Sequence, residues 1–140
     1  WERAERGTDI ASALETFTQV CHRRAVAFLI SDFNDHGFEV PLAIANRRHD
    51  VIAIRIQDPI ELAIPAMGHV TVEDSETGEI LSYPTNLFSR RDAYARGSAA
   101  LIEKNVQICR KAGVDLIDIV NGQDYIKPLI NFFRIREKRR

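Results

Sequence analysis

The sequence has few cysteines and no long apolar run. Its two cysteines, Cys21 and Cys109, lie far apart and give no C-x-x-C zinc spacing. We expect both to be free thiols, buried or partly buried, in a reducing compartment. No apolar run reaches the roughly 18 residues of a membrane span, and no secretion signal is visible. These absences favour a cytoplasmic location, with membrane association of a longer, full-length protein as the alternative.

The sequence also lacks an excess of charge of either sign. Its formal net charge is -1, which argues against nucleic acid as a partner. Its 140 residues are 45% apolar and 28% charged, as in a single globular domain. Basic residues concentrate in 134–140 and acidic residues in 58–79. We interpret the basic tail as a solvated helix end rather than a surface for phosphate or acidic lipid.

Motifs of complete active sites are missing. The sequence contains no G-x-S-x-G, no Walker A lysine motif and no G-x-G-x-x-G. Its four histidines are not paired with one another or with cysteine at ligand spacing. The sequence therefore favours a protein that is not an enzyme.

Three short apolar runs predict strands of a parallel sheet. They cover 25–30, 51–56 and 114–120. The first is apolar at every position, which is typical of a strand covered on both faces. The third is mixed, which suits a strand nearer an edge of the sheet.

Helical patterns alternate with these strands. The intervening segments predict helices starting near Asp9 with Thr8 as cap, at 40–48, at about 89–112 and at about 124–139. One segment at about 69–83 alternates apolar and polar residues around Thr77-Gly78 and predicts a β-hairpin. The predicted fold is therefore α/β, a partial doubly wound, Rossmann-like parallel sheet with helices on both faces and an inserted hairpin.

Polar residues after the first strand suggest a cation site. Ligands of such sheets bind beyond the carboxyl ends of the strands, where Asp32 follows the first apolar run. Thr8 opens the preceding helix, and a hydroxyl with a carboxylate is a hard-oxygen pair suited to Mg²⁺ or Mn²⁺. Two structural interpretations stay open, because Thr8 is also a good helix cap and Asp32 could bond loop amides. Asp9 and Asp35 are interpreted as capping or solvated acids.

Several motifs in order resemble one known family. The segments are 7–10 (Gly-Thr-Asp-Ile), 28–33 (Phe-Leu-Ile-Ser-Asp-Phe), 47–56 with Asp58-Pro59, the hairpin 72–79, 113–116, and 124–129 with the basic helix after it. Together they resemble the von Willebrand factor A-like family called domain of unknown function fifty-eight, over essentially the whole chain.

The resemblance implies a metal-ion-dependent adhesion site. Such a site combines a D-x-S-x-S segment, a threonine and an aspartate, and Thr8 and Asp32 match the last two. The D-x-S-x-S segment is absent and is expected upstream of Trp1, so residues 1–140 would form the C-terminal part of a single domain. The resemblance implies Mg²⁺ or Mn²⁺ in the full-length protein and no firmly held metal in this chain alone. It also suggests a MoxR-type AAA+ ATPase as partner and a bacterial assembly role.

Two classes of function follow from this interpretation. The first is a non-enzymatic interaction module that binds a protein partner through a divalent metal. The alternative is a metal-dependent hydrolase of phosphoesters, which would need more acids at the site than Asp32 and Asp35. A purely structural surface on the hairpin is a third possibility. If the strand preceding Trp1 is missing, the edge of the 25–30 strand is unpaired, and we expect this chain to form a homo-oligomer.

Overall fold

The predicted order of helices and strands is confirmed. The computed structural model describes residues 7–59, 69–73, 80–84 and 88–139. The elements are α1 (Ile10–Val20), β1 (Val26–Ser31), α2 (Glu39–Arg48), β2 (Asp50–Gln57), β3 (His69–Glu73), β4 (Ile80–Pro84), α3 (Phe88–Ala112), β5 (Asp115–Val120) and α4 (Ile126–Lys138). None of the helices in these described segments is both long and apolar enough to cross a membrane.

Three of the strands form a parallel sheet in the order β1-β2-β5. Ile52 of β2 lies opposite Phe28 of β1 and Asp115 of β5. The predicted α/β fold with a partial Rossmann-like sheet is therefore confirmed. Because all three strands run the same way, their carboxyl ends meet at one edge, which we call the carboxyl rim.

Helices cover both faces of the sheet, as predicted. On one face α1, α2 and α3 pack against β2, with a core that includes Leu14, Leu42, Ala53 and Cys109. On the other face α4 packs Leu129 and Phe132 against a smaller cluster of isoleucines from β2 and β5. The two faces of β2 therefore belong to two different cores.

The position of β1 differs from the prediction. Its burial alternates along the strand, and Val26, Phe28 and Ile30 are 54%, 49% and 62% exposed. Within the described residues β1 lies at the edge of the sheet and pairs with β2. A continuous apolar run was expected to be covered on both faces. Here one face of the strand packs on the core and the other is half-exposed.

The predicted hairpin is present as a separate pair of strands. β3 and β4 are antiparallel, with His69 opposite Pro84 and Glu73 opposite Ile80. The loop predicted around Thr77-Gly78 lies outside the described residues. The hairpin forms its own two-stranded sheet, as expected for an insertion between β2 and α3.

The start of α1 is capped by a different residue from the one predicted. Asp9 is the N-cap, and its carboxylate accepts a hydrogen bond from the Ser12 N–H at 2.8 Å. Thr8 therefore lies one residue outside the cap. An N-cap carboxylate satisfies one of the unpaired N–H groups of the first turn and suits the positive end of the helix dipole.

One asparagine joins three elements at the opposite end of the sheet. The Asn46 side chain donates to the carbonyls of Ala112 and Gly113, both at 3.0 Å, and accepts from the Val51 N–H at 3.0 Å. Gly113 has a φ of 69° and ends α3 as the sequence predicted. Asn46 thereby fixes the end of α3 and the start of β2 relative to α2.

Candidate functional site

The turn after β1 presents Asp32 at the carboxyl rim. Oδ1 of Asp32 accepts a hydrogen bond from the Asn34 N–H at 3.1 Å and from the Ser31 hydroxyl at 3.3 Å. A carboxylate bonded to the N–H two residues ahead forms an Asx turn. Asp32 is nevertheless exposed. It therefore bonds loop amides, as one interpretation predicted, and also offers a carboxylate to solvent.

Phe33 holds this turn in an unusual conformation. Its φ is 60°, in the left-handed region that residues with a side chain seldom occupy. Its N–H donates to the Ser31 hydroxyl at 3.0 Å, and its carbonyl accepts from the Asn105 side chain at 3.2 Å. Its ring is fully buried, with its centroid 5.8 Å from that of Phe38. The buried ring and the two hydrogen bonds together fix the direction in which Asp32 leaves the sheet.

Asp35 connects the same loop to the start of α1. Its Oδ2 accepts from the Ile10 N–H at 2.8 Å, and its Oδ1 accepts from the His36 N–H at 2.7 Å. Only 12% of its side chain is exposed. Asp35 and Asp9 are predicted to be capping or solvated acids, and both bond N–H groups of the first turn of α1. The hydrogen bond from the Ile10 N–H to Asp35 links the loop that carries Asp32 to the loop that carries Thr8.

Thr8 and Asp32 remain predicted cation ligands. Thr8 is half-buried and Asp32 is exposed, and the hydrogen bond from the Ile10 N–H to Asp35 joins the loops that carry them. In the described part of the chain, no three His, Cys, Asp or Glu side chains are grouped so that they could hold a metal. The hydroxyl and carboxylate are donors that Mg²⁺ accepts, but two donors fall short of its six. The donor set fits a partial site that further oxygens would complete.

A buried arginine stands at the carboxyl rim beside Asp32. Arg55 of β2 is 2% exposed and lies next to Ser31 of β1 and Asp118 of β5 in the sheet register. Its Nε donates to Asp118 Oδ1 at 2.6 Å, and its Nη1 donates to the Ile102 carbonyl at 3.0 Å. The ion pair offsets the cost of burying the charge, which would otherwise be large.

A cavity of about 360 Å³ opens between the carboxyl rim and α3. Its walls are Asp32, Asn34, Arg55, Ile56, Gln57, Gly97, Ser98, Leu101, Ile102 and Asn105. The volume lies within the range of roughly 300–1,000 Å³ that is common for small-ligand sites.

Cys109 lies in the core beneath this region and is not a reactive thiol. It is 1% exposed, and burial raises the pKa of its thiol. The positive charge of Arg55 acts in the opposite direction and the negative charge of Asp118 adds to the rise. Both cysteines are free, as predicted, with Cys21 only partly buried. A protonated, enclosed thiol is a poor nucleophile.

Three residues of this site were not predicted from the sequence, namely Arg55, Asn105 and Asp118. Arg55 and Asp118 interrupt apolar strands, and a charge at such a position is a usable signal because isolated charges are seldom buried. Asn105 gave no comparable signal, because a polar residue in a long helix usually faces solvent. Its contact with the Phe33 carbonyl joins residues that are far apart in the sequence.

The amino-acid sequence is similar to those of several bacterial proteins. The chain is 28% identical over 131 residues to uncharacterized proteins of Mycobacterium avium and Mycobacterium tuberculosis. The match covers 93% of this chain in both cases, but 77% of the first protein and 41% of the second. The chain thus spans less than half the length of the M. tuberculosis relative.

A solved structure supports the fold. The conserved hypothetical protein BatB from Bacteroides thetaiotaomicron superposes with a TM-score of 0.50 at 18% identity, covering 94% of this chain and 59% of that protein. The family model described as protein of unknown function DUF58 matches residues 2–104. Because that match extends over most of the sequence, the chain belongs to the DUF58 family.

Proposed function

We propose that the chain is a non-enzymatic protein-interaction module of the von Willebrand factor A type. In this proposal a divalent cation at the carboxyl rim binds an acidic side chain of a partner. Thr8 and Asp32 would supply two of the oxygens, and residues outside this chain would supply the others. The cation would provide an open coordination position, and the loops around it would provide specificity.

The observation that carries the proposal is the arrangement of the loop after β1. Asp32 is exposed while the residue after it is fully buried and conformationally fixed. Asp35 joins this loop to the segment containing Thr8. Side chains held on a rigid scaffold at the carboxyl ends of parallel strands are typical of binding sites. This supports recognition at the carboxyl rim, and the metal and the partner are parts of the proposal.

The test uses the full-length protein and an Asp32→Asn variant. Asparagine keeps an oxygen that accepts from the Asn34 N–H, so the turn should survive while the charge is lost. We expect Mn²⁺ affinity, measured by titration calorimetry, to fall about tenfold or more. Glu103→Gln is the matched control, because it neutralises an exposed carboxylate on α3 that bonds Gln107. Unchanged Mn²⁺ affinity in Asp32→Asn would contradict the proposal.

The proposed partner is a MoxR-type AAA+ ATPase from the same organism. We expect the two proteins to bind in Mg²⁺, to separate with chelator, and to bind poorly when Asp32 is replaced. Steady turnover of a phosphomonoester or phosphodiester that is lost in Asp32→Asn would instead favour the hydrolase. Binding that is indifferent to both chelator and Asp32 would exclude a metal-mediated contact.

A further inference from the structure

The cavity at the carboxyl rim contains two polar groups with incomplete hydrogen bonding. Arg55 and Asn105 both line it, and each is 2% exposed. Within the described residues, Nη2 of Arg55 and Oδ1 of Asn105 have no hydrogen-bond partner and are shielded from solvent. Such groups are rare in folded proteins, because they have lost water without gaining another partner. Both side chains line the same cavity, so a small shift of either toward it would let a ligand bond these two atoms.

The other atoms of these two side chains are already engaged. Asn105 donates from Nδ2 to the Phe33 carbonyl, which fixes the orientation of its amide and leaves Oδ1 as the acceptor. Arg55 uses Nε for Asp118 and Nη1 for the Ile102 carbonyl, which leaves Nη2 as the donor. These two side chains therefore offer one charged donor and one neutral acceptor.

A carboxamide matches this pair better than a carboxylate does. Its carbonyl accepts from Arg55, and its NH₂ donates to Asn105. A carboxylate has no donor for Asn105 Oδ1. The charges also oppose it, because Arg55 is balanced by Asp118 and the exposed Asp32 adds a further negative charge. Leu101 gives the cavity an apolar wall suited to a methylene stem.

We propose that this cavity binds the side-chain carboxamide of a glutamine in a partner's peptide segment. Glutamine has a longer stem than asparagine, so its carboxamide reaches further into the cavity along the apolar wall. The inference rests on the proposed function only in taking the partner to be a protein. It requires no cation, so it is tested in the presence of a chelator.

The experiment compares three capped amino acids as probes. N-acetyl-glutamine N-methylamide, its glutamate counterpart and its methionine counterpart are titrated into the ¹⁵N-labelled chain with chelator present, and amide shifts are followed by NMR. We expect the glutamine probe to bind about tenfold or more tightly than either of the others, with shifts at Ser98 and Asn105. Equal affinity for the three probes, or binding elsewhere, overturns the inference.

An Asn105→Ala variant tests whether Asn105 contacts the ligand, because a purely structural role would not change the preference for glutamine over glutamate. It removes the acceptor and leaves Arg55, so the preference for glutamine over glutamate should shrink or reverse. Persistence of the full wild-type preference in a folded Asn105→Ala protein overturns the inference.

A second variant keeps the test decisive if Asn105→Ala does not fold. Gly97 lines the cavity, and a Cβ added there meets nothing within 4 Å. We expect Gly97→Leu to obstruct the cavity and abolish glutamine binding, while Ala99→Leu, at an exposed position of the same helix, leaves it intact. Undiminished binding in Gly97→Leu overturns the inference. If the glutamine probe does not bind but Mn²⁺ still binds at Asp32, this inference is wrong and the proposed function stands. If the glutamine probe binds but Mn²⁺ does not, the proposed function is wrong and this inference stands.

Discussion

At the scale of single residues, Arg55 is a buried cation that depends on its ion pair with Asp118. Arg55 is 2% exposed and Asp118 is 45% exposed, so the guanidinium depends on a partner that water partly reaches. Removing the carboxylate would leave a buried cation with reduced compensation.

We therefore expect Asp118→Ala to lower the free energy of unfolding by about 2–3 kcal/mol, somewhat less than for a fully enclosed pair. Urea denaturation measures the change. Glu103→Ala is the control on α3, with an expected loss of about 0.5 kcal/mol or less. The double variant Arg55→Met/Asp118→Ala should recover part of the loss, because it removes the uncompensated charge. A double variant that is less stable than Asp118→Ala would show that the charge is not the cause.

The two cysteines should differ in reactivity and in their effect on pH dependence. A thiol reagent should label Cys21 in the native protein and Cys109 only after unfolding.

Because burial raises the pKa of Cys109, the folded protein holds this proton more tightly than the unfolded chain. The resulting stabilisation is complete below the ordinary thiol pKa of about 8.5 and is lost as the pH rises through the raised value.

The pH effect is measured by urea unfolding at about pH 7 and about pH 10. Wild type should lose more stability over this interval than Cys109→Val, in which the thiol is absent. Cys21→Ala is the matched control and should follow wild type. Equal losses in wild type and Cys109→Val would rule out a contribution from the buried thiol.

At the scale of elements, Asn46 makes α2, α3 and β2 one unit. Asn46→Ala removes three hydrogen bonds and leaves the Val51 N–H without its side-chain acceptor. We expect a loss of about 2–3 kcal/mol in the free energy of unfolding. Arg47→Ala changes the exposed neighbour in the same helix and should cost little. A loss below about 0.5 kcal/mol for Asn46→Ala would mean that other groups hold these elements together.

The positions of helices and strands were easier to predict from the sequence than their solvent exposure and their caps. Periodicity and the terminal glycine predicted the long helix almost to the residue, as 89–112 against the observed Phe88–Ala112. The exposure of β1 was not predictable, because an apolar run has the same composition whether one or both faces are covered. The cap of α1 was assigned to Thr8 instead of Asp9, since both are good cap residues and only the backbone decides between them.

In the candidate site, too, local sequence features were predictable and contacts between distant segments were not. Asp32 was predictable because it directly follows a recognisable strand. The contribution of Asp35 to α1 and of Asn105 to the turn depends on tertiary contacts between distant segments. No local pattern encodes such contacts, so the sequence pointed to Asp32 and Asp35 and not to the contacts that hold them.

At the scale of the whole molecule, the exposed side of β1 predicts self-association. Val26, Phe28 and Ile30 form a half-exposed apolar row on a strand that pairs on one side within the described residues. Edge strands with apolar side chains tend to pair with other chains. We expect sedimentation analysis to show a dimer or larger species whose proportion rises with concentration.

Ile30→Lys should shift this equilibrium toward monomer, because a charge on an edge strand opposes pairing. Ile30 is 62% exposed, so the fold should tolerate the change. Val40→Lys, at a 67% exposed position of α2, is the control and should associate as wild type does. A wild-type chain that stays monomeric at high concentration would disprove the expectation.

The central position of β2 has a consequence for how the molecule opens. Residues 51–55 are all buried, and 51–54 belong alternately to the cores on opposite sides of the sheet. If either helical layer detaches, one side of this strand becomes exposed to solvent. We therefore expect its amide protons to exchange only through the rarest, most extensive unfolding events. In deuterium oxide the amides of 51–55 should therefore be among the last to exchange, well after those of β1, whose outer row already meets water.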